Sequence, residues 1–185
     1  MRRLSNDDVA ALWTRLPPER RITTLSPAYV LADARREGDL EPIFVGEIEG
    51  EAFWFHGVHR ARVPTGTSWD FQSPYGYGGP STNVTDAETL RSLWADYGAW
   101  CADAEVVAEF VRLHPLAPEG VYGGTVRDDR ACVGIPLVAG DIAAGYEVRC
   151  RTAVRKAAKA GATVRAGTRE EIGRASCRER VSNCV

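Results

Sequence analysis

Hydrophobic positions recur along the chain with periods that change several times, and each change marks an element. Val9, Leu12, Trp13 and Leu16 are spaced as one face of a helix. Ser5 precedes them and Asp8 follows it three residues later, a start signal in which the serine hydroxyl caps the first turn, while Pro17-Pro18 ends the run. Ser26-Pro27 predicts a second helix with proline at its first position, running through Tyr29, Val30 and Leu31 to a terminator at Gly38. The pattern then becomes strand-like: 42–48 and 52–58 predict a hairpin across Glu49-Gly50-Glu51. Residues 60–84 are rich in Gly, Pro, Ser and Thr and predict a long loop, which Trp69, Phe71, Tyr75 and Tyr77 mark as ordered. After Asp86, a candidate cap, Leu90, Leu93, Trp94, Tyr97 and Trp100 share one helical face. Strand-like runs at 106–113, 121–126 and 131–138 follow, then a helical pattern over 141–160 that stops at Gly161, and a β-like 162–165.

Helices and hairpins in this order predict an α/β (α+β) fold, a single mixed sheet with helices packed on it, not a doubly wound parallel sheet. The 185 residues suit one domain and the beginning of another, with boundaries expected at 1–140 and 141–170. The last stretch, 171–185, resembles the translation of a sequencing adapter read in frame, and the natural sequence is expected to end near Arg169 or Glu170.

Composition narrows the class. With 44% hydrophobic and 26% charged residues the chain reads as folded rather than disordered. A net charge of −2 gives no global attraction to DNA or to an anionic membrane. No run approaches the roughly 20 apolar residues of a membrane span, and the start lacks a secretory h-region, so a cytoplasmic protein without a transmembrane segment is expected. Five cysteines without a C-x-x-C pair support neither a disulfide framework nor a zinc site.

Three segments could carry chemistry. In Trp69-Asp70-Phe71-Gln72-Ser73-Pro74-Tyr75-Gly76-Tyr77-Gly78-Gly79-Pro80, glycines let a ligand approach the backbone, prolines stiffen the ends, and tyrosines add hydroxyls and flat faces. That composition suits a ligand-shaping loop, or equally a tight turn with tyrosines packed as lids. It lacks the lysine of a P-loop and the strand-then-helix frame of a dinucleotide site. In 109–116, Arg112 and His114 alternate with apolar residues and could clamp an anionic group; alternatively Arg112 pairs with Asp70 or Glu109 and His114 caps the strand end. No G-x-S-x-G elbow exists, and His56 and His59 point to opposite faces if they share a strand, so neither a catalytic triad nor a metal site is indicated. In 146–161, Arg151, Arg155 and Lys159 form one basic stripe, able to meet phosphates or simply to face water.

Ser73 to Pro80, Glu109 to Leu116 and Arg151 to Val164 occur in the order seen in FemAB-like acyltransferases of the GNAT superfamily, and the chain resembles the N-terminal portion of such an enzyme from about Pro27 to Val164. The resemblance implies two GNAT-like domains in tandem, the second truncated here, and transfer of an acyl or aminoacyl group to an amine of a peptidoglycan or other cell-envelope precursor. The donor would be acyl-CoA or aminoacyl-tRNA, neither held as a tightly bound cofactor, with tRNA reached through the missing second domain. It further implies that the loop with Gly76, Gly78 and Gly79 lines the acceptor cleft, with Arg112 supporting it and Arg151 and Arg155 facing phosphates. An attacking amine must lose a proton while the carbonyl gains charge. Asp70 is the nearest candidate base, and Tyr75 or Tyr77 the candidate donor to the oxyanion. The alternative is a GNAT-like module that binds a sugar-nucleotide or peptide without catalysis.

Overall fold

A computed structural model of the chain describes residues 1–36, 40–64, 66–117, 120–129, 131–132, 134, 142–166 and 168. They belong to two units, Met1–Cys132 and Val133–Val185. Gly38, the expected boundary at 140 and 141, most of the 131–138 run and the tail 171–185 lie outside the described residues.

In the first unit, helix α1 spans Asn6–Arg15. Ser5 Oγ accepts from the Asp8 N–H and the Asp8 carboxylate accepts from the Ser5 N–H, each at 3.1 Å, so one reciprocal pair satisfies two amides at the helix start. Helix α2, Pro27–Ala34, is capped by Ser26 and begins on its proline. Strands β1 (Arg2–Arg3), β2 (Glu41–Glu49), β3 (Ala52–Arg62), β4 (Trp69–Gln72), β5 (Pro80–Thr82) and β6 (Val106–Phe110) form one sheet in the order β1-β2-β3-β4-β6, with β5 also beside β3. Among the described strands only β4 and β6 pair in parallel, and a parallel pair requires a crossover, which helix α3 (Ala87–Asp103) supplies after its Asp86 cap. The architecture is α+β, a mixed sheet flanked by helices.

Several sequence expectations change. β3 continues past Val58 because its polar end has partners: Arg60 donates twice to Glu41 Oε2, at 2.9 and 2.6 Å, and lies 3.9 Å over the Trp69 ring. Residues 60–84 are therefore not one loop but hold β4 and β5. The run at 106–113 ends as a strand at Phe110, and 121–126 and 162–165 form no strand.

Alternation along β3 builds both cores. Phe53 and Phe55 join Val9, Leu12, Leu16, Val30 and Phe44 under α1 and α2; Trp54 and Val58 join Ile43, Val45, Phe71 and Tyr97 under α3. Each such side chain, removed from water, contributes about 1.5–3 kcal/mol. A Cβ at Gly57 would meet Phe44 Cε1 at 2.9 Å and Val30 Cγ2 at 3.1 Å, so glycine is what lets α2 approach β3. His56 and His59 point to opposite faces, as their spacing requires.

In the second unit the 141–160 pattern breaks into a short 3₁₀ turn, Ile142–Gly145, and helix α4, Val148–Lys159, none of whose residues is buried.

Candidate functional site

The loop after β4 is fixed at both ends and at its apex. The Ser73 N–H donates to Phe110 O at 2.9 Å, the Gly78 N–H donates to Arg112 O at 2.8 Å, and the Arg112 N–H donates to Ser73 Oγ at 3.2 Å. Gly76 and Gly79 have φ of +93° and +126°, where L side chains are rarely found, and a Cβ on Gly78 would fall on Ser73 Cβ. At the apex, α2 takes hold of Tyr75. The Tyr75 N–H donates to Asp33 Oδ2 at 2.7 Å, and Tyr29 Oη donates to Tyr75 O at 2.8 Å. The Tyr75 side chain is nevertheless 65% exposed, with the Arg36 guanidinium 4.3 Å from its ring centre.

The residues singled out from sequence divide accordingly. Arg112 reaches the loop through its backbone, and its side chain is exposed. Tyr77 and His114 meet edge to face with ring centres 5.0 Å apart. His114 Nδ1 accepts from the Leu116 N–H at 3.1 Å, a bond within the turn that follows the strand and not a cap on the strand end, which lies at Phe110; burial lowers the imidazole pKa, which favours the neutral ring that this bond needs. Asp70 is exposed on β4 between Ala61 and Ala108, on the sheet face of Gln72 and Phe110. Among the described residues it has no ion pair, so its suggested pairing with Arg112 is not formed. Beside Gly78 and Gly79 a pocket of about 40 Å³, bounded also by Arg20, Leu25 and Leu116, has room for roughly one water. A larger ligand would have to use the exposed side of the loop.

Sequence reasoning missed a second polar centre, on the α3 face. Glu109 Oε1 lies 3.0 Å from His56 Nε2 and accepts from Tyr97 Oη at 2.8 Å, and the Tyr122 phenol helps to hold this carboxyl's pKa down. Burial pushes the Glu109 pKa up, but the charge and hydrogen bond of His56 and the two phenols outweigh it, so the carboxyl stays below its ordinary range. Burial and then the adjacent carboxylate push the Tyr122 phenol up to about 12 and that of Tyr97 higher, so both stay protonated. Burial likewise raises the Cys101 thiol to about 11, which makes it a poor nucleophile. Around the group, Trp94 stands 5.0 Å from Tyr97 and 4.5 Å from Tyr122 between ring centres. A Cβ on Gly123 would run into the Trp94 ring, so the backbone packs directly on that ring. The signal in the sequence was a lone acid in Val106-Val107-Ala108-Glu109-Phe110 and a lone histidine in Phe53-Trp54-Phe55-His56, each needing a buried partner.

Within the second unit, Arg151, Val154 and Arg155 of α4 line an open hollow of about 540 Å³ with Ala143, Ala144 and Tyr146. Arg151 Nη1 donates to Ala144 O at 2.9 Å and Arg155 Nε to Arg151 O at 3.3 Å. Among the described residues no group of acids, histidines and cysteines could hold a metal ion, and no helix is long and apolar enough to cross a membrane.

No family model, curated protein or solved structure matches the chain.

Proposed function

We propose that the chain is the N-terminal portion of an N-acyltransferase of the FemAB-like type, moving an acyl or aminoacyl group from acyl-CoA or aminoacyl-tRNA to an amine of a cell-envelope precursor. The observation that carries this reading is the Tyr75 loop: its backbone is held by α2, by β6 and by Arg112 just beyond it, while a large aromatic ring is left exposed. Ordering such a ring before a ligand arrives lowers the cost of binding it. In this reading the loop, with Gly76, Gly78, Gly79, Arg112 and His114, receives the acceptor, and Arg151 and Arg155 meet phosphates. The amine nitrogen attacks the donor carbonyl, Asp70 takes its proton directly or through water, and Tyr75 or Tyr77 donates to the oxyanion. The carbonyl then re-forms and expels the donor's thiolate or ribose oxygen, which is protonated in turn.

The test uses the product of the gene's complete reading frame, radiolabelled acetyl-CoA or aminoacyl-tRNA, and a nucleotide-linked muramyl peptide. Transfer is expected, with kcat reduced about 10²- to 10⁴-fold by Asp70→Asn. Unchanged turnover in that variant removes Asp70 as base. Acceptor binding without transfer favours a module that only recognises a sugar-nucleotide or peptide.

A further inference from the structure

We propose that Asp33 is the positioning residue of the exposed Tyr75 platform, acting with Tyr29 as a two-point clamp from α2. Tyr29 and Asp33 are four residues apart in a helix and share a face. That face closes on a single residue of the loop: the Tyr29 hydroxyl takes the Tyr75 carbonyl and the Asp33 carboxylate takes the Tyr75 amide. Asp33 also controls the ring. Its Oδ1 lies 3.3 Å from Arg36 Nε, and the same guanidinium covers one face of the Tyr75 ring. The other face is left for a flat or apolar part of a ligand. Asp33 also lies against the sheet, with Oδ2 3.8 Å from Nδ1 of His59, whose Nε2 bonds to Val30 O at 2.9 Å. One carboxylate with an 11% exposed side chain thus joins α2 to the loop, beside β3. The ligand side of this inference rests on the acceptor-binding reading above; the clamp does not.

The test has two arms on the full chain. Amide exchange followed by NMR reads the clamp: Asp33→Ala should speed exchange of the Tyr75 amide roughly ten- to a hundredfold, the loss expected for a hydrogen bond to a charged acceptor. Asp33→Asn, which keeps an acceptor oxygen, should have a smaller effect, and Tyr29→Phe should loosen the same residue. Equilibrium binding of a nucleotide-linked muramyl peptide reads the platform: Asp33→Ala and Tyr75→Ala should each weaken it, and the double variant should bind no worse than Tyr75→Ala alone. Unchanged Tyr75 exchange in Asp33→Ala, or additive losses in the double variant, overturns the proposal. If the unsubstituted chain does not bind the peptide, the acceptor reading fails and the exchange arm alone decides the clamp.

Discussion

Two acid–histidine pairs sit on opposite faces of β3, and they serve different ends. The carboxylates are about equally hidden, with side chains 13% exposed at Glu109 and 11% at Asp33. Glu109 draws its partners His56 and Tyr97 from the core, and the rings of Trp94 and Tyr122 close around them. Asp33 spends its bonds on a loop amide and a surface arginine. Burial alone does not distinguish a structural pair from one that shapes a surface. What distinguishes them is whether the partners end in packed side chains or in a backbone that presents something to solvent.

The comparison can be broken most severely at Glu109. Glu109→Ala leaves His56 and the Tyr97 hydroxyl buried without their acceptor, and chemical denaturation should show a loss of about 3–5 kcal/mol. Because the folded state holds the Glu109 carboxyl below its ordinary range, the pair's contribution is complete above the unfolded pKa, about 4.3, and is lost as pH falls through the lower folded value. An acid titration of stability should therefore be flatter for Glu109→Gln than for the unsubstituted chain.

On the loop side, Gly78→Ala places a methyl group against Ser73 and should cost about 1–3 kcal/mol in the same denaturation experiment. The smallest effect is expected at Asp70, exposed and without an ion pair: Asp70→Asn should shift stability by less than about 0.5 kcal/mol. A larger shift there would mean that this carboxylate is structural after all.

Much of the fold was legible because its signals are local. The Ser5/Asp8 box, Ser26-Pro27, the Asp86 cap and the turn at Gly50 each act within a few residues, and α1, α2, α3 and the β2–β3 hairpin start or turn where they indicate, although α2 ends at Ala34, short of the expected Gly38. β4 and β5, four and three residues long, were hidden because they are strands only by virtue of partners on β3. The Tyr29/Asp33 spacing was visible, but nothing in it names the loop that it meets. Pairing Glu109 with Arg112 failed for a geometric reason: residues three apart in extended chain face opposite ways. Val106 and Glu109 escape that rule only because the pairing slips at Trp69/Asp70, passing from Val106 to Ala108 and letting both side chains reach the α3 face.

The parallel contact of β4 with β6 also bears on how the chain reaches this state. The β2–β3 hairpin can close on itself early, since its strands are adjacent in sequence and loop closure over few residues is fast. β6 joins the sheet only across the whole of α3, and the bond between His56 and Glu109 spans 53 residues. Contacts of that separation cost more chain entropy to close than the hairpin does, so this pair is expected to form late. Its strength sets how slowly the folded chain comes apart far more than how quickly it assembles.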